Sequence, residues 1–298
     1  MAEPPPRTQE QDTLPGFLYA ATAYLLWGFL PLYMKALAAV PPVEVVAHRV
    51  LWSVPVAGLI LLATGRWNDL RAALRSPRML AMAALTAALV SANWGIYVWA
   101  IGAGRAVDTA LGYYINPLFS VLLGALLLRE RLQRGQIAAV ALAALAVAVL
   151  TVEAGLPWVA LALAGTFGLY GFFRKTLPIG PNQGFFLEVL LLAPFALAYL
   201  LWTGPAGHFG AAARETWLLA ASGLVTAIPL MLYANGAKGL RLSTIGMMQY
   251  TAPTVIFLIA VFVFREPFDT ARAVAFGLIW TALLTYTVSS FRARRRAG

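Results

Sequence analysis

The chain of 298 residues is 61% hydrophobic and only 11% charged, whereas a soluble domain is about one quarter charged, so it is read as an integral membrane protein. It has no cysteine, which excludes disulfides, thiolate metal sites and cysteine nucleophiles. The formal charge of +10 sits in short connections and a final Arg292 to Arg296 cluster, a pattern that orients helices in a bilayer, so no nucleic-acid partner is expected.

In chain order, residues 1–14, with Pro4-Pro5-Pro6 and mixed charge, read as a disordered tail. A bilayer core takes roughly 20 mainly apolar residues per helix. Spans are predicted at 15–34, 43–64, 79–103, 109–128, 136–152, 157–173, 184–203, 217–237, 245–264 and 271–291. The expectation is an all-α integral membrane protein of ten transmembrane helices. Residues 292–298 form a basic tail. The longest connections, 65–78 and 204–216, hold at most a short interfacial helix. Trp52, Trp67, Trp158 and Trp217, near span ends, read as interface anchors.

The chain says the same thing twice. Tyr114-Ile115-Asn116-Pro117, an apolar run and Arg129-Glu130 return 136 residues later as Tyr250-Thr251-Ala252-Pro253, an apolar run and Arg265-Glu266. The same offset pairs Tyr97 with Tyr233 and Arg105 with Arg241. Nearer the start it grows, matching Pro55 to Pro194 at 139 and Gly28 to Gly168 at 140. A register held over such length marks a duplication, with residues 15–153 and 156–291 as the two units. Five spans per unit is an odd number, so the second half enters the membrane from the opposite face. Inverted repeats of this kind in transporters hold the substrate between them, near the midplane.

Lysine and arginine concentrate on one side of the predicted spans. Arg66, Arg71, Arg75, Arg78, Arg129, Arg131, Arg134 and the terminal arginines share the side of the N-terminus, against Lys35, Arg105, Arg214, Arg265 and Arg272 opposite. Both termini are therefore expected in the cytoplasm.

Function must be built inside the bundle. The only histidines are His48 and His208, and Glu188 is the only carboxylate read as lying at depth within a span, so no acidic dyad or metal cluster is expected. No cofactor or catalytic residue is predicted. Polar residues at depth are mostly neutral: Asn93, Asn116, Asn235 and Gln249. Each points inward, either as glue between helices or as part of a cavity. Asn93, Trp94 and Tyr97 share one helical face with Ile101, and Tyr233 holds the equivalent place in the eighth span. Trp27 in the first span matches Phe167 in the sixth, beside Tyr170. With Tyr114, Asn116, Gln249 and Tyr250, these residues suggest a cavity of aromatic walls with hydroxyl and amide tips, suited to a solute that is partly flat and partly polar.

Pro31 against Gly171 and Pro117 against Pro253 divide matched helices, marking either hinges or static curvature. His48-Arg49 lies a short way into the second span. Arg49 either snorkels to headgroups or faces inward to pair with Glu188, its counterpart in the repeat, and His48 and Glu188 are candidate proton sites. Arg129-Glu130 and Arg265-Glu266 read as interfacial orienting pairs.

These halves, each with a Pro, an apolar run and a terminal Glu on its fourth helix, resemble the EamA-type family of the drug/metabolite transporter superfamily, from Pro15 to Ser290. Trp27-Gly28-Phe29-Leu30-Pro31, Ala47-His48-Arg49, Ser91-Ala92-Asn93-Trp94 and Gly112-Tyr113-Tyr114-Ile115-Asn116-Pro117 resemble the RarD-like branch. The chain is also similar to YddG-type bacterial exporters of aromatic amino acids. The resemblance implies that helices one, three, four, six, eight and nine surround a central cavity, two and seven complete its wall, and five and ten lie outside. It implies an inner-membrane exporter of small metabolites, with neutral and aromatic amino acids favoured and membrane lipid and substrate as partners of a monomeric chain. A multidrug or general metabolite exporter is the first alternative, and a membrane-embedded enzyme, which the missing catalytic groups disfavour, is the second. The first span lacks the buried Glu of small cation exporters, so exchange by that route is not expected.

Overall fold

The computed structural model describes residues 13–65, 67–127, 134–176, 180–238 and 248–297. Residues 1–12, the Arg129-Glu130 pair, Arg241 and the predicted start of the ninth span at Ile245 lie outside the described residues.

The described residues are helical, without strands. They form α1 (Leu14–Ala36), α2 (Pro42–Ala63), α3 (Trp67–Leu74), α4 (Pro77–Gly102), α5 (Ala106–Leu127) and α6 (Arg134–Ala154) in the first part of the chain. Then follow α7 (Trp158–Thr176), α8 (Pro181–Thr203), α9 (Ala213–Lys238), α10 (Thr251–Leu258) and α11 (Thr270–Ala297). A 3-10 turn at Gly204–Ala206 follows α8, and a π turn at Ile259–Val263 prolongs α10. Among the described residues α3 is the one short helix in a connection, and the other ten are the predicted spans. Five of them, α1, α2, α4, α8 and α9, are long and apolar enough to cross a bilayer by length and composition. Helices α6, α7, α10 with its π turn, and α11 carry shorter apolar stretches.

Several helices begin ahead of their hydropathy limits because a first turn can be helical without being apolar. Pro77 and Pro181 stand at helix starts, where a missing N–H costs nothing. Ser76 accepts from the Met79 amide at 3.4 Å and Thr13 from the Gly16 amide at 3.2 Å, satisfying donors that a first turn leaves open. At the other end α11 runs on to Ala297, so 292–297, expected as a tail, continue the last helix. Pro253 also differs from expectation. Residues 249–250 form a turn and α10 starts at Thr251, so Pro253 occupies a first turn rather than a mid-helix kink such as Pro117.

The packing repeats under exchange of the two halves. Helix α1 packs on α9 as α7 packs on α4, α5 on α7 as α10 on α1, and α2 on α9 as α8 on α4. The pairs α2 with α8, α5 with α10, and α6 with α11 map onto themselves. A two-fold axis relating five-helix halves produces this pattern, and the closest approaches obey it too. A Cβ built on Gly28 would lie 2.7 Å from the Val255 side chain, and one on Gly168 would lie 2.7 Å from the Phe119 ring. Gly28 and Gly168 are repeat partners, as are Phe119 and Val255. Small residues let these helices touch backbone to side chain, the usual means of association in lipid.

One approach is closer still. A Cβ on Gly223 of α9 would fall 2.2 Å from the carbonyl carbon of Trp52 on α2, so only glycine fits this crossing. Trp52, expected as an interface anchor, is half-buried there and donates its indole N–H to His48 Nδ1 at 3.2 Å. Trp158 and Trp217 are exposed, as anchors require.

Beyond the π turn, Arg265 takes φ 54, the left-handed region uncommon for a residue with a Cβ. The turn delivers Glu266 to the start of α5, where its two carboxylate oxygens accept from the amides of Ala106 and Val107, each at 2.9 Å. Glu266 is thus a helix cap supplied by one half to the other, a more specific role than interfacial orientation.

Candidate functional site

The helices that the resemblance places around a cavity do enclose one, with about 690 Å³ of space free of protein atoms, including its open mouth. Its aromatic wall comes from Tyr24 and Trp27 of α1, Trp94 and Tyr97 of α4, Tyr113 of α5 and Phe167 of α7. Helix α9 contributes Thr226 and Leu230, and the turn into α10 brings Gln249, Ala252 and Pro253. A second lobe of about 390 Å³ shares Tyr24, Trp27, Phe167 and Gln249 and adds Asn116, Gly171 and Tyr233. Helices α6 and α11 pair with each other and contribute none of the described lining residues.

The rings are held against one another. Tyr24, Trp27 and Tyr233 form a triangle with centroids 5.4 to 5.8 Å apart. Tyr113 sits between Tyr97 at 6.0 Å and Phe167 at 6.2 Å. Edge-to-face and tilted contacts of this kind stiffen a wall beyond what burial alone supplies. The repeat accounts for much of the lining: Trp27 has its counterpart Phe167, Trp94 has Leu230, Tyr97 has Tyr233, and Tyr113 has Gln249.

Asn93 serves both purposes considered for it. Its amide donates to the Leu163 carbonyl at 3.1 Å and to Thr166 Oγ1 at 2.9 Å, tying α4 to α7, while Tyr113 donates to its oxygen at 3.4 Å. It lines the cavity as a locked amide. Tyr97, also in the lining, has a buried hydroxyl with no hydrogen-bond partner among the described residues.

The second span contributes a residue for which sequence reasoning gave two other roles. Arg49 neither snorkels nor pairs with Glu188. It is 3% exposed, lines the cavity, donates from Nε to Thr226 Oγ1 at 2.9 Å, and lies 4.8 Å from the Trp94 ring centroid. Glu188, wholly buried behind the wall, accepts from the Tyr170 hydroxyl at 3.2 Å. Residues paired by the repeat thus have separate partners, Thr226 of α9 for Arg49 and Tyr170 of α7 for Glu188. His48 is also outside the lining, stacked on Phe209 at 4.9 Å. Glu188 is joined by a second buried acid, Glu44 at the start of α2, which accepts from the His208 amide at 2.6 Å and faces its ring nitrogen at 2.9 Å.

Three other predicted binding residues stand apart from both lobes. Tyr114 turns toward α11, its hydroxyl 2.6 Å from Thr254 Oγ1 and its ring edge-on to Phe276. Tyr170 carries the bond to Glu188, and Tyr250 is half-buried against the core. Tyr24, Tyr113 and Thr226 join the lining unforeseen. Tyr24 is one turn before Trp27, and Tyr113 is the repeat partner of Gln249, so both had a signal in the sequence. Thr226 had none.

The profile of the EamA-like transporter family matches residues 14–152. Protein RarD of Streptomyces exfoliatus is 42% identical over 292 residues, covering 97% of this chain and 93% of its own. The uncharacterized transporter YojE of Bacillus subtilis (strain 168) is 41% identical over 293 residues, covering 96% and 98%. A solved crystal structure at 22% identity superposes with a TM-score of 0.63 over 93% of this chain and 98% of the other, a likeness of fold. The chain is a multi-pass membrane protein of the EamA-like transporter family, with RarD-type relatives along nearly its whole length.

Proposed function

We propose that this transporter exports small metabolites across the bacterial inner membrane by alternating access, with neutral and aromatic amino acids as favoured substrates. The observation that carries the reading is the cavity itself, walled by rings from both halves and tipped with amide and hydroxyl groups. Rings bind the flat part of a solute, and a few placed polar groups orient the rest. Trp27, Asn93, Trp94, Tyr97, Tyr233 and Gln249 are the binding residues in this reading. The halves are residues 15–153 and 156–291, both termini face the cytoplasm, and Pro31, Pro117, Gly171 and Pro253 flank the moving parts. The lining holds no acid among the described residues, which favours facilitated flux over proton exchange.

The test is counterflow of labelled amino acids into proteoliposomes. Wild-type protein accumulates labelled phenylalanine or tryptophan against an unlabelled internal pool, and Trp94→Ala and Tyr97→Ala each reduce the rate by tenfold or so, an estimate from the loss of an aromatic contact of about 1 to 1.5 kcal/mol. Unchanged flux in both variants would place the binding site elsewhere. A wall with few fixed donors also suits a broader metabolite or drug exporter, and competition of unrelated aromatic solutes for the same flux separates the two.

A further inference from the structure

The Arg49 guanidinium is an expensive group to keep where it is. A cation out of water costs several kcal/mol unless paired, and buried arginines are ordinarily met by a carboxylate. Here no Asp or Glu lines the cavity among the described residues. Arg49 has instead one hydroxyl on Nε and one indole face, and its Nη1 is buried without a hydrogen-bond partner. Thr226 and Trp94 fix the plane of the guanidinium while leaving its outer end unused. If Arg49 only stapled α2 to α9, a neutral donor to Thr226 would do the same work at less cost. A planar fork with an unpartnered end, lining a ring-walled hollow that has no acid among its described residues, is the geometry that binds a carboxylate.

We infer that Arg49 is the anion subsite of this cavity and that the solute must carry a carboxylate, which binds the outer end of the guanidinium while its apolar part lies among the rings. This rests on the reading of the cavity as the transport site and narrows its ligand class. The carboxylate is the required group, and the ammonium of an amino acid is dispensable because no acid lines the cavity among the described residues. Aromatic monocarboxylates are ligands; aromatic amines are not.

Four probes with a similar apolar body separate these elements: phenylalanine, phenylpropionate, phenylpropionamide and phenethylamine. Binding is measured by titration calorimetry on purified full-length protein in detergent. Wild-type protein binds phenylpropionate about thirtyfold or more tightly than the amide or the amine, the ratio expected from losing one partner of a buried charge pair. Arg49→Gln abolishes that preference, and Arg49→Lys, which keeps the charge without the fork, retains part of it. The wild-type ratio needs no variant, so a misfolded Arg49→Gln protein does not rescue or sink the idea. Equal binding of acid and amide by the wild type, wild-type affinity for phenylpropionate in folded Arg49→Gln protein, or no binding of either carboxylate would each overturn it. Phenylpropionate binding through Arg49 without phenylalanine binding removes the amino-acid reading and leaves this one standing. Phenylalanine binding that ignores Arg49 does the reverse.

Discussion

Replacing Gly223 with alanine adds a single methyl group at the tightest crossing described in the bundle. That methyl would sit 2.2 Å from the carbonyl carbon of Trp52, 2.3 Å from its oxygen and 2.5 Å from its Cβ. Unstrained carbon contacts lie at about 3.5 to 4.0 Å, so α2 and α9 must part locally by roughly an ångström or more. Two of the three opposing atoms are backbone, which cannot swing aside. Overpacking ordinarily costs about 1 to 3 kcal/mol, and a backbone clash belongs at the upper end. Gly95, inside α4 with nothing within 4 Å of its added Cβ, is the matched control. There alanine should be neutral or stabilise by up to about 1 kcal/mol through helix propensity. The assay is reversible unfolding of purified protein in mixed micelles with rising SDS, followed by tryptophan fluorescence. Gly223→Ala should lower stability by about 2 to 3 kcal/mol while Gly95→Ala does not. The same displacement lengthens the reach from Arg49 to Thr226, one turn along α9, so anion binding should weaken in parallel. A loss below about 0.5 kcal/mol for Gly223→Ala would refute the crossing as described.

Other consequences are as concrete. Glu266→Gln retains shape but leaves one acceptor for two amide donors at the start of α5, and loses the charge there. It should cost about 1 to 2 kcal/mol in the same SDS titration, and a neutral effect would count against the cap. Asn93→Ala removes two donor bonds to α7, each worth about 0.6 kcal/mol in membrane bundles, so a loss of roughly 1 kcal/mol is expected. Hydrogen exchange at the α4 and α7 backbones should rise together, and exchange confined to α4 would show that the tie is weaker than its geometry.

Fold and cavity were legible to different depths. Hydropathy and the 136-residue register yielded the spans, and the paired lining residues Tyr97 and Tyr233 followed from the same register. Motif position misled at Tyr114, which anchors the Tyr-Ile-Asn-Pro string, while adjacent Tyr113 faces the cavity. Neighbouring residues on a helix point about 100° apart, and an apolar helix carries no polar stripe to say which of them faces inward. Arg49 was unreadable for the same reason. Whether it snorkels, pairs or lines a hollow depends on which helix stands opposite, and Thr226 is 177 residues away. The Glu266 cap joins residues 159 and 160 apart, across the two halves, where no local pattern reaches.

The mirrored glycines bear on how such a molecule moves. Val255 rests on bare backbone at Gly28, and Phe119 does the same at Gly168. Knobs locked in holes must be lifted out before surfaces can shift, whereas a side chain seated on a flat strip of main chain can roll. Two such bearings, exchanged by the same rotation that exchanges the halves, would give the proposed motion a balanced pivot on either side of the centre. In the alternating access proposed above, rocking about them would trade width at one mouth for width at the other with little disturbance to the packing around them.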